Sequence, residues 1–179
     1  VAFGKVWNCV ISCNTSTPIN TRGNHGGGTY GSDVRNSLIS SNIALSWEGA
    51  GGGTFGGSAS NCQITANFAW YGGGTANGFV VNCAIVSNAA LQGGGSFLGT
   101  NRNCLIRNNQ AAINDRASQG GGANASLLEN CAVCDNSVGG DSQASGAGAY
   151  NCTVRNSILY SNRGGYNCVG GTADYSCVE

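Results

Sequence analysis

GGGTANGFVVNCAIVSN, residues 72–88, decides the fold, because five other stretches of the chain repeat it without a gap. They are GGGTYGSDVRNSLISSN (26–42), GGGTFGGSASNCQITAN (51–67), GGGSFLGTNRNCLIRNN (93–109), GGGANASLLENCAVCDN (120–136) and GAGAYNCTVRNSILYSN (146–162). A partial copy, VAFGKVWNCVISCN (1–14), opens the chain. Spacers of 11, 8, 4, 4, 10 and 9 residues separate the copies, so the shortest repeat is 21 residues and length varies at one point only.

Self-similarity at such a period is the signature of a solenoid, in which each repeat buries its apolar face only against its neighbours. Each copy holds short strand-like runs broken by Gly or Asn. In the shared stretch N-C/S-x-I-x-x-N, apolar positions alternate with variable ones, as in a strand with one buried face. No copy has the 3.6-residue period of an amphipathic helix. The Leu pattern of a leucine-rich repeat is missing, and a β-propeller needs a period of about 40 residues. The expectation is an all-β, right-handed parallel β-helix of about seven coils with 21–28 residues per coil. One domain spans 1–179, with coils opening near residues 1, 26, 51, 72, 93, 120 and 146 and an irregular C-terminal tail over 163–179.

Stacked coils place like residues about 4.8 Å apart. The first inward column reads Ile11, Ile39, Ile64, Ile85, Ile106, Val133 and Leu159. A second reads Val6, Val34, Ala59, Val80, Asn101, Leu128 and Val154. Two positions before the first column come Cys9, Ser37, Cys62, Cys83, Cys104, Cys131 and Ser157, on the same inward face. Two asparagine columns mark expected corners: Asn8, Asn36, Asn61, Asn82, Asn103, Asn130 and Asn156, then Asn14, Asn42, Asn67, Asn88, Asn109, Asn136 and Asn162. Asn tolerates the left-handed conformation of a sharp bend, and its amide can form a ladder between coils. The Gly triplets mark a third corner.

These residues resemble the repeats of polymorphic outer membrane proteins, whose passenger region carries GGA-I/L/V and FxxN tetrapeptides. The matching elements are the GGG triplets and the I-x-x-N quartets, such as Ile64 to Asn67 and Ile85 to Asn88. The likeness extends to the β-helix segments of large bacterial surface proteins and, at the level of fold, to the pectate-lyase-like superfamily. The chain departs in having GGG for GGA and Ile for Phe. The resemblance implies a secreted or cell-surface location and an adhesive role.

Composition narrows the partners. Only 9% of residues are charged and the formal net charge is +0, so there is no basic stripe for nucleic acid. Apolar runs fall far short of a membrane-spanning helix, so this segment is not expected to insert in a membrane. The expectation is therefore a structural or adhesive scaffold, not an enzyme, with no cofactor or metal. Its partners are itself by end-to-end stacking, or further coils of a longer chain. The alternative is a carbohydrate-binding or pectate-lyase-like protein acting on surface glycans.

Such an enzyme needs clustered carboxylates. Asp33, Glu48, Asp115, Glu129, Asp135, Asp141, Asp174 and Glu179 share no column in adjacent coils. Glu129 instead stands in a row between Arg102 and Arg155, the pattern of a surface ion pair. Trp47, Trp70 and Tyr71 lie in neighbouring spacers, on the side where insertions gather, and are the candidate binding residues. Cys131-Ala-Val-Cys134 lacks the second pair of a zinc site. Cys168 and Cys177 in the tail are the candidate disulfide. Thr29, Thr54, Thr75 and Ser96 form a hydroxyl column, the weak signal of an ice-binding array.

Overall fold

Left-handed backbone conformations shape every coil. Positive φ recurs at every fifth residue: Gly26, Gly31, Asn36 and Ser41 in one coil, Gly72, Asn77, Asn82 and Ser87 in a later one. Each such residue turns the chain, so a coil has four corners where three were expected. The structure, a computed structural model, describes residues 1–17, 23–112, 118–139 and 145–179. Among the described residues every element is a strand or bridge, and every pairing is parallel. The fold is a parallel β-solenoid with six frames opened by Gly26, Gly51, Gly72, Gly93, Gly120 and Gly146, and a part-turn at either end.

Four faces lie between the corners. Thr29–Tyr30, Thr54–Phe55, Thr75–Ala76, Ser96–Phe97 and Ala123–Asn124 build the first. Lys5–Trp7, Asp33–Arg35, Ser58–Ser60, Phe79–Val81, Thr100–Arg102 and Leu127–Glu129 build the second, and the long strand Ala149–Arg155 joins both. Eight strands, from Val10–Ser12 to Cys177–Val178, build the third. The fourth is short, with Ile43–Ala44, Ala89–Ala90, Gln110–Ala111 and Ser137–Val138 among its strands. Every spacer leaves from this face, so the insertions gather on one side.

The five-residue beat also sets what points inward. After the second, third and fourth corners of a coil, the first and third residues face the core and the second and fourth face out. Thus Ser37 and Ile39 are buried after Asn36, while Leu38 and Ser40 are half-buried. Ile39, Ile64, Ile85, Ile106, Val133 and Leu159 all have 0% exposure, in register from coil to coil. Burial of each such side chain contributes about 1.5–3 kcal/mol.

The asparagine columns differ from expectation. Asn8 through Asn156 occupy left-handed corners, as expected. The second column does not: the left-handed residue is the one before it, such as Ser41, Ala66, Ser87 or Asn108. Asn42, Asn67, Asn88, Asn109 and Asn136 therefore stand one residue past the corner and point into the core, 0–1% exposed. There Asn88 Nδ2 donates to Asn109 Oδ1 (3.0 Å) and to the carbonyl of Ile64 (2.9 Å). Its own Oδ1 accepts from the backbone N–H (2.9 Å) and Nδ2 (3.0 Å) of Asn67. The same set recurs from Asn42 to Asn136, so a buried amide is satisfied on every side.

That ladder explains the Gly triplet. The first glycine takes the positive φ, +61 at Gly72. The second passes against the backbone of the fourth face, where a Cβ on Gly73 would collide with Ala89. The third lies against the ladder: a Cβ on Gly74 would sit 2.6 Å from Gly95 O and 3.0 Å from Asn88 Nδ2.

The tail is ordered rather than irregular. Cys168–Asp174 aligns with Ala149–Arg155, and Cys177–Val178 with Ile158–Tyr160. Asn167 accepts from Asn162 and so extends the inner ladder. Spacing alone missed this because the tail keeps the inward alternation without the GGG-to-Asn frame.

Candidate functional site

The insertion side carries the aromatic residues that the sequence singles out. Backbone bonds lock the second and third spacers together: the N–H groups of Trp70 and Tyr71 both donate to Gly49 O at 3.0 Å. This brings the rings of Trp47 and Trp70 into a stack, with centroids 5.1 Å apart and planes 24° apart. Trp47 is 69% exposed, whereas Trp70 and Tyr71 are half-buried. Tyr71 turns to the next coil and rests on Phe97, centroids 5.0 Å apart. The three residues are thus brought to one side, with Trp47 the outermost.

Other aromatics of this side were not anticipated. His25 stacks on Phe55 at 4.2 Å, Phe55 on Tyr30 at 5.3 Å, and Tyr30 meets Phe3 edge-on at 5.2 Å. The signal was present in the frame: its fifth position reads Tyr30, Phe55, Ala76, Phe97, Asn124, Tyr150. Ala50 and Ala76 occupy the places between large rings, which lets His25 lie over Phe55 and Tyr71 over Phe97. Burial lowers the His25 pKa from its usual 6.5, with Glu48 opposing, and its Nδ1 has no hydrogen-bond partner.

The described acids are spread over the outer faces. Asp33 accepts from Ser58 Oγ at 2.6 Å and pairs with Arg35 at 3.0 Å, which together lower its pKa. Glu129 pairs with Arg102 at 2.7 Å, and register places Arg155 on its other side. Asp135 pairs with Arg107 at 3.0 Å. Asp115 and Asp141 lie outside the described residues. Among the described residues no group of three His, Cys, Asp or Glu side chains is placed to hold a metal. Cys131 and Cys134 are three positions apart, so the alternation turns Cys131 into the core and Cys134 to the opposite side of the sheet, where it too is buried.

All ten cysteines are free thiols. Cys168 and Cys177, the candidate disulfide, are not bridged. They begin strands of different faces, separated by the left-handed corner at Tyr175. The inward Cys/Ser column acts as a third ladder, in which Cys83 Sγ accepts from the N–H of Cys62 at 3.3 Å and Ser157 Oγ from that of Cys131 at 3.0 Å. Cys83 Sγ donates to Val81 O at 3.2 Å, as Ser37 Oγ donates to Arg35 O at 2.7 Å. Contact with Cys62 and burial push the Cys83 thiol up; contact with Cys131 and burial do the same for Cys104. Burial pushes Cys152 up to about 12. The hydroxyl column also faces inward, with Thr29, Thr54, Thr75 and Ser96 at 0–4% exposure, so it presents no array to solvent.

Two open surface depressions of 310 and 240 Å³ lie on the third face, on either side of Gln63. Asn36, Leu38 and Asn61 line the first, and Thr65, Ala84 and Val86 the second.

The fold and these columns define a parallel β-solenoid. No protein-family model matches the chain, and neither a curated protein nor a solved structure matches it. Of the resemblance drawn from the GGG triplets and I-x-x-N quartets, the parallel β-solenoid fold is the part supported.

Proposed function

We propose that this chain is a scaffold rather than an enzyme, a stiff β-solenoid rod of a secreted or cell-surface protein, continued at its ends by further coils. The observation that carries this reading is the register. It runs unbroken from Val10–Ser12 to Cys177–Val178, and both strands are sheet edges. Apolar side chains are exposed on the end coils: Phe3 78%, Val10 68%, Tyr166 81% and Tyr175 96%. Edges of this kind invite strand addition. The added coil comes from a longer chain or from a second copy, and an adhesive role follows the surface resemblance.

Sedimentation velocity and electron microscopy test the idea. Rods that lengthen with concentration, and that Val178→Pro stops, support stacking of copies. A monomer whose end strands become exchange-protected when coils are appended genetically supports continuation. A monomer unaffected by either change overturns the scaffold reading.

A second reading, glycan binding, is favoured by the exposed Trp47 ring backed by Trp70, a flat apolar surface suited to a sugar face. Titration with polysaccharides should then quench tryptophan fluorescence, and Trp47→Ala should abolish the response. No quenching by any neutral polysaccharide would remove this reading.

A further inference from the structure

One level of the core breaks the apolar pattern. On the second face the inward column runs Val34, Ala59, Val80, Asn101, Leu128, Val154, so a wholly buried asparagine sits between a valine and a leucine. Its Nδ2 donates to Ser96 Oγ at 2.9 Å. Ser96 Oγ in turn lies 3.3 Å from Ser126 Oγ. Asn101 Oδ1 has no hydrogen-bond partner, and neither has Thr75 Oγ1, which is also 0% exposed. Thr75 is the register partner of Ser96, so the two unpartnered atoms flank the same serine.

The corner beside them is loosely filled. Its inward position holds Ser32, Ser126 and Cys152 in three coils and a glycine in the other three, and of Gly57, Gly78 and Gly99 only Gly78 has room beside it: an added Cβ meets an atom at 2.2 Å on Gly57 and at 3.1 Å on Gly99. A Cβ built on Gly78 would meet no atom nearer than 3.7 Å, whereas one on Gly74 meets an atom at 2.6 Å. A buried, polar and roomy site is where an ordered water belongs.

We infer that the solenoid core binds one structural water molecule between Thr75 and Asn101, on the inner side of the Gly78 corner. The chemistry selects it. Asn101 Oδ1 only accepts, so the ligand must donate, which excludes a halide or a deprotonated acid. A cation would be buried without a countercharge. Water donates to Asn101 Oδ1 and either donates to or accepts from the Thr75 hydroxyl. It ties the third frame to the fourth at the one level where the apolar column does not.

The site is tested on the full chain by an atomic-resolution crystal structure and by oxygen-17 relaxation dispersion, which counts long-lived internal waters. The expected result is an oxygen at about 2.7–3.2 Å from both atoms. In Asn101→Leu, which repeats the residue of the next coil, the count should fall by one with the fold kept. Thr75→Val should weaken or abolish the same water with little change in volume. A well-ordered wild-type site without that oxygen, or a count unchanged in both variants, overturns the inference.

Discussion

Two asparagine columns run the length of this molecule and behave as different materials. In the inner one each amide from Asn42 to Asn136 is buried and makes four hydrogen bonds, two given and two received, as at Asn88. In the outer one the asparagines sit on exposed left-handed corners, and neighbouring amides share single bonds, such as Asn103 Nδ2 to Asn82 Oδ1 at 3.1 Å. The same residue thus serves two ends. Inside it is a donor–acceptor unit that nothing else in the chain replaces. Outside it is mainly a residue that tolerates positive φ.

The largest break in this comparison is Asn88→Ala. It removes the acceptor of two Asn67 donors and one donor to each of Ile64 O and Asn109 Oδ1. Asn67 and Asn109, left facing the gap, are themselves buried from solvent. A loss of at least about 3 kcal/mol is expected, because buried groups left unpaired cost about 1–3 kcal/mol each. Urea denaturation checks it, and a loss below about 1 kcal/mol would show the inner ladder to be dispensable.

Gly74→Ala attacks the same ladder from the other side. The new methyl would press on Asn88 Nδ2 and Gly95 O, neither of which is a flexible chain end. A loss of about 1–3 kcal/mol is expected, the cost of overpacking. Adding Asn88→Ala to it should cost less than the sum, since both changes act on one contact. Additive losses would separate the glycine from the ladder.

The inner ladder was only half legible in the sequence. Its spacing, its stacking and the inward Ile and Cys/Ser columns all follow from a 17-residue frame that aligns by eye. What spacing did not distinguish is a corner residue from the residue after it, because Asn is favoured at both. The frame's other left-handed positions hide the five-residue beat: Ala66, Leu98 and Asp135 are unremarkable as letters, yet each has positive φ. The aromatic cluster was legible in part. Trp47 and Trp70 stand in spacers and draw the eye. Phe55 and Tyr30 stand inside the frame, where only their alignment with the Gly corner reveals that they line the same side.

The thiols sharpen the contrast between inside and outside at smaller cost. Cys9, Cys13 and Cys177 are exposed, while Cys62, Cys83, Cys104, Cys131, Cys134 and Cys152 are buried. A disulfide reagent at pH 8 should therefore label the first three quickly and the six buried ones only on opening. In Asn88→Ala the labelling of Cys83 and Cys104 should accelerate, because the change lies in the coil of Cys83 and breaks the side-chain bond to Asn109 in the coil of Cys104. Equal labelling of all ten in the wild type would contradict the ladder's rigidity.

The smallest effects belong to the outer column, and their order tests what its asparagines do. Asn103→Ala loses the bonds to Asn82 and from Asn130, both 3.1 Å and exposed, where water replaces most of their value. It also places alanine at φ +53. Ala66 and Ala125 occupy such corners already, so the conformation is reachable at a cost of about 1 kcal/mol. Asn103→Gly loses the same bonds but adopts positive φ freely. If the outer ladder matters through conformation, glycine should lie within about 0.5 kcal/mol of wild type and alanine about 1 kcal/mol below it. If its hydrogen bonds matter, both variants should fall together. Thermal melts of the pair decide between these, and a loss in Asn103→Gly equal to that in Asn88→Ala would erase the distinction between the two columns.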